Sequence, residues 1–419
     1  MTAKTQPATK AATAMMLYMS AQNELASKAT ENIDAIRSNV ALHNLCLYIV
    51  EDTYDDVDPS DPNARVTFRY PLPRGARKKD FHRESFGVMD KTIGDPTVFK
   101  NFLALAKQHF KQDGTNQKIL ILWGHGGGMV MLDEEKANGT VQARASIVDF
   151  AEVLETQKDL KFDILAFDSC YMGVIEVMNQ FREATSFALV SSTVVDADGY
   201  PYKVFIKDLK TKGSALDPKS AAELIAARYD QHYKQVLPGE ERFLFICDMS
   251  KIENCVTALN ELGAALIKLL GEDEQNDPMR DAISEALIAA HANFAYVPAL
   301  MFMRKLRDRL ASHPDQPRFK VLYEAMDKLA LAVRASFSGQ LSDSGYSPTS
   351  PLIWSPDSRG IFWRDHKDYA QLDSSKNGTA GWISMWFKFH GIKEELSPNP
   401  DLKGKFRIGL PKTVLFRLM

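Results

Sequence analysis

Two stretches, Ile119-Leu-Ile-Leu-Trp-Gly-His-Gly-Gly-Gly128 and Phe162-Asp-Ile-Leu-Ala-Phe-Asp-Ser-Cys-Tyr-Met-Gly173, decide the fold. Each is an apolar run of strand length that breaks into glycine or turn-forming residues. A half-exposed strand alternates apolar and polar positions, whereas a central parallel strand is covered on both faces and reads as apolar throughout. Working outward, Ala14–Met19, Leu45–Val50, Ala188–Ser191 and Arg242–Cys247 read as further strands, and Asn23–Arg37 as the helix between the first two. Gly94-Asp-Pro-Thr97 caps a second helix, with Phe99, Phe102, Leu103 and Ala106 at helical spacing. Further helices are expected over Ile147–Gln157 and Val174–Phe181. Strands alternating with helices predict an α/β fold, an open sheet with helices on both faces.

The texture changes near residue 250, where helical periods take over in Lys251–Leu270, Met279–Ala292 and Lys320–Phe337. The expected organisation is a disordered start over 1–13, an α/β core over 14–250, a helical region over 251–340, and a C-terminal α+β region over 341–419 that packs on the core. Of 419 residues, 45% are hydrophobic and 25% charged, the make-up of an ordinary globular chain. The 51 basic and 54 acidic residues leave a net charge of −3, so no global field draws the protein to nucleic acid. No apolar run reaches membrane-spanning length. Lys4 and Lys10 precede the apolar run from Ala11 to Met19, yet no small-residue cleavage site follows, and the run reads as a buried strand rather than a secretory leader. Four cysteines without CxxC spacing fit neither a disulfide framework nor a zinc site. A reducing, cytoplasmic setting is the expectation, with secretion as the alternative.

Both deciding runs end in reactive side chains, His125 and Cys170, and ligands of doubly wound sheets bind at the carboxyl ends of strands. A thiolate there attacks a carbonyl, and an imidazole protonates the leaving amine. The N–H groups of Gly126 and Cys170 are the expected oxyanion donors. Cys46, Cys247 and Cys255, set among apolar residues, read as small buried hydrophobes. His-Gly-Gly-Gly also occurs in lipase-like hydrolases, but their Gly-x-Ser-x-Gly elbow is absent, and no Gly-Lys-Ser/Thr follows to make a phosphate loop.

His125 lies 45 residues before Cys170, close to the roughly 50 of caspases, although the caspase Gln-Ala-Cys-x-Gly signature is missing. In Gly94-Asp-Pro, His125-Gly-Gly-Gly, Phe167-Asp-Ser-Cys-Tyr-Met-Gly173, Ser191-Ser-Thr, Asp198-Gly-Tyr-Pro-Tyr202 and Cys247-Asp-Met-Ser-Lys251 the sequence resembles the clostripain family of cysteine peptidases. The resemblance implies a caspase-like sheet, a Cys170–His125 dyad, a thioester intermediate, and cleavage of proteins or peptides after Arg or Lys. Charge agrees: Asp168 and Asp198 are candidates for the pocket that takes the P1 side chain, where a carboxylate meets Arg bidentately and Lys as a point charge. Asp168 read plainly is a helix cap, and Asp198 a turn aspartate before Gly199. Ser169, Tyr171 and Tyr200 stand where the family commonly has Ala, Leu and Trp, which bears on the subsites and not on the dyad. The chemistry needs no cofactor. Calcium is a candidate ligand through the family and the acidic stretch Glu51–Asp61, which lacks EF-hand spacing, so the metal ligands are unknown.

Between the two catalytic runs, Asp133–Ala145 is polar and without an apolar period, which predicts an exposed mobile loop. It carries Lys136 and Arg144, basic residues of the kind the pocket should accept. Relatives in the family are processed in this interval, so both are candidate self-cleavage sites, and a gated enzyme with an activating partner is expected. The alternative from another class is a catalytically silent binding module on the same fold.

Overall fold

The computed structural model describes residues 12–39, 45–53, 66–86, 91–111, 115–135, 141–212, 216–239, 242, 244–271, 277–290, 295–313, 315–339, 350–356, 372 and 381–390. In chain order the strands are β1 (Ala12–Ala21), β2 (Leu45–Thr53), β3 (Val66–Leu72), β4 (Glu84–Ser85), β5 (Thr115–Trp123), β6 (Val130–Glu135), β7 (Val141–Ser146), β8 (Phe162–Asp168), β9 (Thr185–Val190), β10 (Phe245–Asp248), β11 (Tyr296–Pro298), β12 (Phe337–Ser338) and β13 (Leu352–Trp354). Nine of them form one sheet in the order β12-β10-β9-β8-β5-β1-β2-β3-β4. The five central strands, β9 to β2, are parallel, and both edges are antiparallel.

The apolar runs follow from this placement, because each central strand feeds two cores. Met16, Tyr18, Leu120, Leu122, Leu165 and Phe167 point to one face, and Met15, Leu17, Ile119, Ile121 and Ala166 to the other. Helices α1 (Ala26–Arg37), α2 (Pro96–Phe110), α3 (Ile147–Thr156), α4 (Ile175–Gln180), α5 (Tyr202–Lys212) and α6 (Pro218–Val236) cover the two faces. The second of these begins as expected: Asp95 accepts the Thr97 N–H at 2.7 Å and Pro96 fills the first helical position, where its missing N–H costs nothing. Phe99, Phe102 and Phe150 from α2 and α3 group around Tyr18.

Helices α7 (Ile252–Leu269), α8 (Pro278–Ala289), α9 (Ala299–Leu310), α10 (Lys320–Ser336) and α11 (Trp382–Phe389) follow. Leu262, Leu329 and Trp382 belong to the same buried cluster as Phe167 and Val177, and β12 returns to the main sheet beside β10. The expected division at residue 250 therefore marks a change of texture without a break in the core. Outside the sheet, β11 pairs with β13 and β6 with β7. No described helix is long and apolar enough to cross a membrane.

Candidate active site

The parallel register sets the two reactive turns side by side. Trp123, the last residue of β5, is paired with Asp168, the last of β8, so His125 and Cys170 each stand two residues past the same rung. The Gly124 N–H donates to Asp168 O at 3.3 Å and carries the ladder one step beyond the strands. The turns then interlock at Gly126. A Cβ at that position would lie 2.5 Å from the Cys170 carbonyl oxygen and 2.8 Å from Ser169 Cβ, so only glycine permits the approach. Among the described residues neither the Gly126 N–H nor the Cys170 N–H donates to another residue's main chain, and the Cys170 N–H lies against its own thiol.

Cys170 is partly buried, and its Sγ accepts the Val195 N–H at 3.3 Å. Burial pushes the thiol pKa up and the charge of Asp168 adds to the rise, with Arg242 opposing it. The next residue, Tyr171, has φ +55°, a left-handed conformation rare for an aromatic residue. Its N–H donates to Thr193 O, and the Gly173 N–H to Ser191 O, so the segment after β9 holds this turn. On the other turn, His125 Nε2 lies 2.9 Å from Glu24 Oε1. The carboxylate sits off the direction of the ring N–H, so the two groups are close without a well-aligned hydrogen bond. Glu24 was not among the expected site residues, yet it follows β1, the strand beside β5, and the functional edge of the sheet points to it.

A cleft of about 250 Å³ joins these groups, lined by Leu25, Trp123, His125, Cys170, Asp168 and the segment Val194–Gly199 except Asp198. Asp168 is 3% exposed. Its Oδ2 accepts the Tyr200 N–H at 3.0 Å and the Tyr202 hydroxyl at 2.7 Å, while Oδ1 is buried with no partner among the described residues. Burial raises its pKa to about 7 against these two hydrogen bonds. Asp198, the other expected pocket acid, is turned away: its carboxylate pairs with Lys28 on α1 at 2.8 Å and its side chain is 55% exposed. The cause is local. Asp196 Oδ1 accepts the Asp198 N–H, Asp196 O accepts the Gly199 N–H, and Gly199 at φ +65° closes the turn, so Asp196 faces the cleft in its place.

The expected mobile loop between the catalytic strands is in its described part a hairpin. Strands β6 and β7 pair Val130 with Ser146 and Met131 with Ala145, and Arg144 Nε reaches Asp133 Oδ2 at 3.1 Å. Asn23 Nδ2 donates to the Asp133 carbonyl at 2.9 Å and fixes β6 to the end of β1. Arg144 is therefore held within a paired strand, and Lys136 lies outside the described residues. So does most of the acidic stretch proposed for calcium. Within its described part Glu51 accepts from Tyr70 and Asp52 from Thr67. Among the described residues no group of three or more His, Cys, Asp or Glu is placed to hold a metal ion.

Comparison with known proteins gives the family and the fold. A family model described as the clostripain family matches residues 17–332. Clostripain from Hathewaya histolytica is 28% identical over 211 residues, 42% of this chain and 39% of that protein, so the match spans well under half of the relative's length. An inactive zymogen C11 protease from Parabacteroides distasonis superposes with a TM-score of 0.58 at 16% identity, over 88% of this chain and 99% of the other. A secreted C11 cysteine protease from Bacteroides thetaiotaomicron, solved with an irreversible peptide inhibitor, gives 0.56 at 16% identity, over 89% and 98%. At these identities the solved structures speak for the fold, a large, mostly parallel caspase-like sheet flanked by helices.

Proposed function

We infer the reaction from the premise that this chain belongs to the clostripain family: it is a cysteine endopeptidase that cuts after Arg or Lys through Cys170 and His125. The observation that carries this is the buried, unpartnered Oδ1 of Asp168 in the wall of the cleft that also holds the thiol and the imidazole. A buried carboxylate oxygen without a partner is costly, and a P1 guanidinium or ammonium supplies the missing donor. Asp196, on the same cleft, is the second acid of the pocket in place of Asp198.

The same cation prepares the nucleophile. It offsets the charge of Asp168, which adds to the rise that burial imposes on the thiol pKa, so a basic P1 residue favours ionisation of Cys170 where a neutral one does not. His125 accepts the thiol proton, and the thiolate adds to the scissile carbonyl carbon. The oxyanion that forms is met by the N–H groups of Gly126 and Cys170. On collapse, the C–N bond breaks, His125 gives its proton to the leaving amine, and a thioester remains. Water, deprotonated by His125, then releases the carboxylic acid and regenerates the thiol. Glu24, 2.9 Å from Nε2, stabilises the imidazolium that exists between these transfers. None of these steps draws on a cofactor, and each needs Cys170 reduced.

Gating belongs to the same reading. Lys136 is the favoured self-cleavage site, because cutting after Arg144 requires the β6–β7 pairing to open first. Calcium and an activating partner remain candidate triggers. The test is turnover of fluorogenic peptides with Arg, Lys, citrulline or Asp at P1 by wild type and Cys170→Ala, with intact mass followed with and without calcium. Turnover of Arg and Lys peptides by wild type alone, with fragments ending at Lys136, is the expected result. Hydrolysis by Cys170→Ala, or efficient cleavage after Asp, overturns the assignment, and an inert wild type that never labels with a basic peptide inhibitor points to the binding module.

A further inference from the structure

We propose that the two-stranded ribbon β11–β13 is a brace that fixes the distance between the two catalytic turns, with the Tyr296 hydroxyl as its positioning group. The inference rests on the dyad reading above and adds to it a residue remote from the cleft in sequence. Tyr296, the first residue of β11, is buried against the glycine turn that follows His125. Its hydroxyl accepts the Met129 N–H at 3.0 Å and donates to Gly127 O at 3.1 Å, so a single side chain satisfies main-chain groups on both sides of Gly128. Gly128 has φ +76°, and a Cβ there would fall 2.4 Å from the tyrosine ring. The turn is shaped to receive this ring, and no side chain of its own holds it.

The other strand of the ribbon reaches the other turn. The Leu352 N–H of β13 donates to Gly173 O at 2.7 Å, three residues after Cys170, and Leu352 forms a bridge with Val174. One rung away, the Trp354 N–H donates to Glu176 Oε1 at 3.1 Å at the start of α4. Since Val297 and Ile353 are paired inside the ribbon, the chain of contacts runs without a gap from the His125 turn through β11 and β13 to the Cys170 turn. The two turns also touch directly at Gly126, but a turn rich in glycine has little stiffness of its own. An external clamp on that turn adds to the direct contact at Gly126 in holding the His125 turn beside the Cys170 turn, and a misplacement of about 1 Å is enough to cost 10²-fold in rate.

Tyr296→Phe in the full chain keeps the packed ring and removes both hydrogen bonds, so folding is retained and is checked by the melting temperature. The expected result is a fall of tenfold or more in kcat on an Arg peptide, with KM within about twofold. The acid limb of kcat/KM also moves to higher pH, because a thiolate farther from the imidazolium is less stabilised. A merely structural role lowers the active fraction and leaves that limb in place. Alkylation of Cys170 by iodoacetamide across pH and hydrogen exchange at the Met129 amide report on the brace without peptidase turnover. Faster Met129 exchange with a shifted alkylation profile supports the brace even if the wild type cleaves no peptide, an outcome that sinks only the function assigned above. An alkylation profile and a kcat indistinguishable from wild type overturn the brace.

Discussion

The turn after β5 places glycines at 126, 127 and 128 behind His125, one of them at φ +76°, whereas the turn after β8 puts Tyr171 at φ +55° directly behind Cys170. The first has a permissive backbone, closed by its own main-chain bonds from Gly127 to Val130 and from Leu132 to His125, and is braced from outside by Asn23 through β6 and by Tyr296. The second has a costly backbone and is held by main-chain bonds to Ser191 and Thr193 after β9 and to Leu352 of β13. Strain of this kind, on the order of 1–3 kcal/mol, persists only where the surroundings over-determine it. Imidazole and thiol thus sit on turns of different make-up: one of glycines, closed by Leu132 at φ +55° and seated on Tyr296, the other with its left-handed residue directly behind the cysteine.

The comparison breaks most visibly where the turns meet. Gly126→Ala drives a methyl group into the Cys170 carbonyl and Ser169, separates the turns, and should lower kcat/KM by about 10²–10³-fold in steady-state assays. Retention of wild-type turnover would show that the contact at Gly126 is incidental. Next in size is Asp168→Asn, at the root of the Cys170 turn. Preference for Arg over citrulline at P1 should drop by about 10²-fold. The same change should raise stability, because the folded carboxyl has a pKa of about 7 against 3.8 unfolded, and keeping it ionised in the fold is unfavourable. The variant's advantage in denaturant melts should therefore be absent below about pH 4, grow from there to pH 7, and level off above, at no more than about 2–4 kcal/mol. A pH-independent difference would contradict it. The smallest effect sharpens the contrast between backbones: Tyr171→Asn, tolerant of positive φ, should melt about 1–2 kcal/mol above Tyr171→Val, whose branched Cβ is not. Equal melting points would mean that the turn relaxes when the tyrosine is gone.

Much of the sheet was legible because β1, β5 and β8 are covered on both faces and so read as unbroken apolar runs, and His125, Cys170 and Asp168 followed from where those runs stop. Strands β6 and β7 were missed because the hairpin stands apart from the sheet, and residues such as Asp133, Glu134 and Arg144 carry no alternating apolar face. Helix α9 was missed although Leu306 and Leu310 continue its buried face at helical spacing, because the unbroken apolar run Ala299–Met303 at its start is equally compatible with a strand. Asp196 and Asp198 differ by two positions in one loop, and only the hydrogen bonds of the turn decide which carboxylate faces the cleft. Tyr296 acts through its hydroxyl on main-chain atoms about 170 positions away in the chain, a relation that leaves no local pattern.

The order of strands gives a cut in the β6–β7 hairpin a particular meaning. Everything through β6 falls on one fragment and everything from β7 on the other, and the two meet along the seam between β5 and β8, from Ile119 opposite Ile164 to Trp123 opposite Asp168. His125 travels with the first fragment and Cys170 with the second. A nicked molecule is then a non-covalent heterodimer whose dyad straddles the seam, so once separated by denaturant its halves regain activity only by a second-order encounter.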